Sequence, residues 1–123
     1  MVSTPYFWIF IGGGLGSICR YALSAWIAGF KFTFPLGTFA ANVLASFLLG
    51  FVLGAGLRYT LPEPLRWLLI SGFCGGFSTF STFSGETWQL WSQGNTSLAV
   101  LNITANVLSC LVAVYVGLRM SGG

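Results

Sequence analysis

The chain has no histidine and almost no acidic residues. Among its 123 residues, only Glu63 and Glu86 carry a carboxylate side chain. Without histidine there is no Ser-His-Asp triad and no histidine metal site, and without a nearby pair of acids there is little to transfer protons. The five basic residues are scattered singly, so the sequence also lacks a basic cluster of the kind that binds nucleic acid. These absences argue against an enzyme and against a nucleic-acid-binding protein.

Charge of either sign is scarce, and apolar residues dominate. Charged residues make up 6% of the chain and apolar residues 55%, whereas an ordinary soluble domain is about 25% charged. So few charges do not cover the surface of a globule of this size. The composition therefore predicts a membrane protein whose surroundings are the lipid bilayer.

Four apolar stretches are long enough to cross a membrane. A bilayer core about 30 Å thick needs about 20 apolar residues in a helix. The spans are predicted at roughly 6–29, 36–57, 66–91 and 97–118. Short connections rich in proline, glycine and asparagine separate them. The sequence therefore predicts an all-α membrane protein with a single four-span transmembrane domain over residues 1–123.

The densest polar feature lies in the middle of the third span. A Phe-Ser-Thr triplet repeats from Phe77 onwards, directly after Gly75 and Gly76. Two adjacent glycines weaken a helix, so we expect the third helix to break there. Main-chain carbonyls freed by such a break at Gly75 and Ser78 form an oxygen site that suits a hard cation.

The residues after the predicted break have the chemistry of an anion path. Phe80 and Phe83 lie three apart on one helix face, and the edge of a phenyl ring is positive. Ser81 and Thr82 add hydroxyl donors in the same region. Ring edges, hydroxyls and an amide together line a path for a small anion without a buried positive charge. The alternative interpretation is a packing surface of small polar residues with phenylalanine as filler.

Polar residues in the first two spans allow two interpretations each. Asn42 lies four residues after Thr38, so both share one helical face. Asn42 is either an anion ligand without fixed charge or an interhelical hydrogen-bond partner. Arg20 either keeps an anion-accessible vestibule positive or extends its side chain to the membrane interface.

The fourth span carries a polar stripe. Asn102, Asn106 and Ser109 are spaced i, i+4, i+7, so the stripe faces protein or water rather than lipid. Packing between helices explains it equally well. Four short helices that each need polar partners leave little room for an internal pore. This favours a homo-oligomer, most simply a dimer.

Three segments in chain order, Gly12–Tyr21, Gly37–Asn42 and Gly72–Ser84, resemble the bacterial Fluc/CrcB fluoride channels. The resemblance covers nearly the whole chain, and the third segment is its most specific part. It implies a fluoride-specific ion channel for passive fluoride export, which protects the cytoplasm from fluoride toxicity. It also implies a multi-pass protein of the bacterial inner membrane and an antiparallel dual-topology homodimer with two pores.

The resemblance also implies a role for individual residues. The implied fluoride pore includes Phe80, Phe83, Asn42, Ser81 and Thr82, with Thr38 added because it shares a face with Asn42. The implied pore or vestibule positions also include Arg20, Asn106 and Ser109. The backbone carbonyls of Gly75 and Ser78 from both subunits are implied to hold a structural sodium ion that is not transported.

Two other functions fit part of the sequence. A small four-span proton-coupled exporter needs a carboxylate within a span, and only Glu86, late in the third span, provides one. A non-transporting subunit of a larger membrane assembly would also use glycine faces and polar stripes for helix packing.

Overall fold

The computed structural model describes residues 3–31 and 33–122, and all regular secondary structure in them is helical. The helices are α1 (Ser3–Ala28), α2 (Leu36–Arg58), α3 (Glu63–Arg66), a π-helix (Trp67–Cys74), α4 (Gly75–Phe77), α5 (Phe80–Ser92) and α6 (Thr96–Gly122). The all-α prediction is confirmed. Residues 1, 2, 32 and 123 of the predicted domain lie outside the described residues.

Helices α2 and α6 are apolar enough to cross a bilayer. They contain 23 and 27 residues, and the mean hydropathy of each reaches 2.0 over its most apolar stretch. Only 28% and 22% of the residues in these stretches are buried, whereas the core helix of a soluble protein is mostly buried. Their length matches the thickness of a bilayer core.

The third apolar stretch is interrupted, but not at the glycines. Gly75 keeps helical dihedral angles of −64° and −37°. The chain becomes extended at Ser78 and Thr79, whose ψ angles are 156° and 121°. The break therefore lies after the predicted Gly75–Gly76 pair. Gly76 packs closely against α1, since a Cβ there would collide with the carbonyl oxygen of Gly13.

Helix α1 and the π-helix run parallel in very close contact. A Cβ at Gly12 would collide with the Leu68 carbonyl, and one at Gly16 with the Phe73 carbonyl. A Cβ at Gly72 would lie 2.9 Å from the Cα of Gly12. Gly12 and Gly16, spaced four residues apart, therefore let the two helices approach closely.

Helices α2 and α6 form the second close pair and also run parallel. A Cβ at Gly50 would collide with the Val114 carbonyl, and one at Gly117 with the Phe47 carbonyl. Helix α5 then crosses from the break to α6, where Thr87 contacts Asn102. This arrangement brings α2, α5 and α6 together beside the break.

The outer surface carries many large apolar side chains. Phe10 is 79% exposed, Tyr21 75% and Leu57 73%. Buried apolar side chains are mostly small, and the described core cluster consists of Ala41, Ala45 and Phe77. Such a surface is suited to lipid or to another apolar surface.

Candidate functional site

The break in the third stretch borders a cavity of about 250 Å³ between α2, α5 and α6. Its lining consists of Asn42, Ser46, Ser78, Thr79, Phe80, Phe83, Asn106, Val107 and Cys110. None of these lining residues carries a charge. The cavity therefore combines amide, hydroxyl and ring groups, as predicted for an uncharged path.

Side chains take the place of helical hydrogen bonds at the break. The main-chain N–H of Thr79 donates to Oδ1 of Asn42 at 2.9 Å, and the N–H of Thr82 donates to Oγ1 of Thr79 at 3.2 Å. In a continuous helix these two N–H groups would bond to the carbonyls of Gly75 and Ser78, four residues earlier. Both carbonyls have therefore lost their usual helical donors.

The donor chemistry of these two carbonyls fits a hard cation such as sodium. Hard cations bind oxygen ligands, and main-chain carbonyls are common among them. Gly75 and Ser78 share a second cavity of about 230 Å³, and a Cβ at Gly75 would meet nothing within 4 Å. Two carbonyls do not fill a coordination sphere, so a cation here needs further oxygens from outside this set.

The two phenylalanines predicted to line the pore lie together. The ring centroids of Phe80 and Phe83 are 5.6 Å apart, with 48° between the ring planes. Phe83 is half-buried, whereas Phe80 is 79% exposed although it lines the cavity. One side of the cavity is therefore open.

Of the predicted site residues on α2 and α6, Asn42 and Asn106 meet through their side-chain amides, whereas Ser109 lies apart. Asn42 donates from Nδ2 to Oδ1 of Asn106 at 3.1 Å. Ser109 does not join them, because it lines a separate apolar groove with Val112. Cys110, one full turn after Asn106, lines the cavity instead. The predicted stripe therefore splits after Asn106.

Thr38, Ser81 and Thr82 lie beside the cavity rather than in its described lining. Thr38 is 5% exposed and lies one turn before Asn42 on α2. Ser81 and Thr82 are exposed at the start of α5. The hydroxyls of Ser81 and Thr79 are 3.3 Å apart, so Ser81 reaches the site through Thr79.

Arg20 contacts the end of α4. Its Nε donates to the carbonyl of Gly76 at 3.0 Å. In a continuous helix that carbonyl would accept from the N–H of Phe80, so Arg20 stabilises the broken conformation. Within residues 3–31 and 33–122, no ion pair joins Arg20 to Glu86, the acidic partner that the sequence offers within the spans.

Sequence reasoning missed several residues of the site. Ser46 follows Asn42 by four residues and Cys110 follows Asn106 by four, so helical spacing alone was a signal for both. Thr79 contributes its main-chain N–H, which no side-chain pattern reveals. Thr87 joins the site through a hydrogen bond to Asn102, a member of the predicted stripe, and this bond depends on how α5 crosses α6.

Comparisons with a family model and with individual proteins point to the same family. The family model described as CrcB-like protein, Camphor Resistance (CrcB) matches residues 7–118. A protein of Geotalea daltonii is 46% identical over 114 residues, which cover 89% of this chain and 92% of that protein. One of Pyrococcus horikoshii is 46% identical over 110 residues, 89% of each chain. One of Methanocaldococcus jannaschii is 45% identical over 107 residues, 87% of this chain and 86% of that protein. Each of the three is named fluoride-specific ion channel FluC.

Proposed function

The chain belongs to the CrcB family of membrane proteins, and from this membership we propose that it is a fluoride-specific ion channel. Relatives that match nearly its whole length carry that name. The family is one of ion channels, so the chain is not an enzyme.

The observation that carries the proposal is the uncharged cavity at the helix break. Fluoride is small and strongly hydrated, so a path for it must replace water with hydrogen-bond donors. The Asn42 amide, the neighbouring hydroxyls of Ser81 and Thr82, and the positive ring edges of Phe80 and Phe83 are such donors. Because the lining carries no fixed positive charge, the anion binds weakly enough to leave.

Passive conduction is sufficient for export. With the cell interior negative, each 100 mV of membrane potential drives an anion outward with about 2.3 kcal/mol. That energy corresponds to a roughly fiftyfold concentration ratio at equilibrium. In a bacterium the channel would therefore lower cytoplasmic fluoride from its place in the inner membrane, without energy coupling.

We propose that the working unit is an antiparallel dual-topology homodimer of four-span subunits. Two observations support a second copy. Phe80 lines the cavity and yet is 79% exposed, and the space beside Gly75 is open. A facing subunit would close the cavity on the Phe80 side. It would also supply a second set of Gly75 and Ser78 carbonyls.

These four carbonyls would hold a structural sodium ion at the dimer centre. Prolonged dialysis of the reconstituted protein against sodium-free buffer is expected to abolish fluoride flux, because the break loses the charge that holds its carbonyls together. Sodium is expected to restore the flux, and the larger potassium ion is not. Full flux from protein shown by elemental analysis to be free of sodium would contradict this proposal.

The channel proposal is tested by anion efflux from liposomes that contain the purified protein. Ion-selective electrodes record fluoride and chloride side by side, with protein-free liposomes as the control. Rapid fluoride release with negligible chloride release is the expected result. If a folded dimer in sodium buffer releases neither ion, the proposal is wrong and the assembly-subunit alternative is favoured. Release that requires a proton gradient would instead favour the exporter.

A further inference from the structure

A continuous chain of hydrogen bonds leads from the cavity into the interface between α5 and α6. Asn42 accepts from the N–H of Thr79 at 2.9 Å and donates to Oδ1 of Asn106 at 3.1 Å. Asn106 donates from Nδ2 to the main-chain carbonyl of Asn102 at 2.8 Å and to its Oδ1 at 2.9 Å. Asn106 is 5% exposed and Asn102 1% exposed, so water does not compete for the bonds between these two residues.

The chain continues to α5 through one hydroxyl group. Asn102 donates from Nδ2 to Oγ1 of Thr87 at 2.8 Å. Thr87 in turn donates its hydroxyl hydrogen to the main-chain carbonyl of Phe83 at 2.7 Å. Since Phe83 also lines the cavity, the chain of bonds begins and ends at the candidate pore.

Three main-chain groups fix the direction of every bond in this chain. The N–H of Thr79 only donates, so Asn42 must turn its oxygen towards it. The carbonyls of Asn102 and Phe83 only accept, so Asn106 must turn its NH₂ group, and Thr87 its hydroxyl hydrogen, towards them. A reversed amide would place donor against donor or acceptor against acceptor in a buried site.

From this geometry we propose that Thr87 and Asn102 are positioning residues for anion conduction. Thr87 orients the Asn102 amide, and Asn102 in turn reinforces the orientation of Asn106. Through Asn106 they reinforce the Asn42 orientation that the Thr79 N–H also favours and that leaves an N–H of Asn42 for the cavity. If the Asn42 amide were free to rotate, it would turn its oxygen towards the anion part of the time. The inference rests on the proposed function, because it assigns a task within the same anion path.

The test compares Thr87→Val with Thr87→Ser. Valine has nearly the shape of threonine but leaves Nδ2 of Asn102 without an acceptor, whereas serine keeps the hydroxyl. Fluoride efflux is expected to fall about tenfold in Thr87→Val and to stay within about twofold of wild type in Thr87→Ser. Thermal denaturation and gel filtration identify any variant that fails to fold.

A spectroscopic measurement separates positioning from local packing. Asparagine labelled selectively with nitrogen-15 gives side-chain amide signals from Asn42, Asn95, Asn102 and Asn106, and exposed Asn95 is an internal control outside the network. In Thr87→Val we expect the signals of Asn102, Asn106 and Asn42 to shift and that of Asn95 to stay in place. In Thr87→Ser we expect all four to return to their wild-type positions.

Two results would overturn the inference. One is an unchanged fluoride efflux in folded Thr87→Val. The other is a shift confined to the Asn102 signal, because a purely local packing defect does not reach Asn42. Failure of the proposed function is recognised separately, since the wild-type protein would then release no fluoride while the amide signals still report the network.

Discussion

Replacing Phe80 by isoleucine is expected to reduce fluoride efflux about tenfold without unfolding the protein. The substitution removes a ring with a positive edge from the cavity lining but keeps an apolar side chain and removes little volume. Contacts that depend on the ring quadrupole contribute about 0.5–1.5 kcal/mol, and about 1.4 kcal/mol corresponds to a factor of ten. The folded state should tolerate the change, because Phe80 is 79% exposed in the single chain. Liposome efflux with a fluoride electrode measures the loss.

Phe10→Ile is the matched control. Phe10 is also 79% exposed, but it lies on α1 away from the described cavity lining. The same loss of a ring there should leave efflux within about twofold of wild type, as expected for a surface substitution outside special features. Equal efflux in Phe80→Ile and wild type would refute the role of the Phe80 ring edge. A similar loss in both variants would indicate a general effect of the substitution on the protein in lipid.

The sequence predicted the composition of the site better than its geometry. The helical class followed from apolar stretches and short connections. The resemblance to the fluoride channels implied one pore lined by Asn42, Phe80 and Phe83, and these three residues do line one cavity. The position of the break was not predicted correctly from the sequence. Glycine propensity predicted an opening at Gly75, but Gly75 stays helical and Gly76 packs against α1. The chain opens instead where Asn42 and Thr79 supply substitute hydrogen bonds.

Long-range hydrogen bonds were the other feature that spacing did not reveal. The spacing of Asn102, Asn106 and Ser109 predicted one shared face, yet Ser109 lines a separate groove and Cys110 lines the cavity with Asn106. The bond from Asn102 to Thr87 joins two helices whose relative placement no local pattern encodes. Polar residues in apolar spans therefore identified candidate side chains of the site, and only the fold identified their hydrogen-bond partners.

Replacing Asn42 by aspartate is expected to reduce fluoride efflux more than Phe80→Ile does. At an effective dielectric constant of 20, two like charges 4 Å apart repel by about 4 kcal/mol, which corresponds to roughly a thousandfold in rate. The new carboxylate also has no N–H to donate to Oδ1 of Asn106, so the hydrogen-bond chain loses its link to the cavity. The bond from the Thr79 N–H is kept, because a carboxylate oxygen accepts it as well. The break should therefore persist while conduction fails, and efflux at neutral pH measures the result.

Asn95→Asp separates the effect of position from that of charge. It adds the same charge at an exposed site between α5 and α6, outside the cavity. Exposed charges in water interact weakly and are screened within about 10 Å at ordinary salt, so efflux should stay within about twofold of wild type. Conduction by Asn42→Asp at the wild-type rate would exclude Asn42 from the anion path. A large loss in Asn42→Asp alone, with a folded protein, is the result expected if the anion passes close to this amide, because a short distance in a poorly hydrated site gives repulsion of that size.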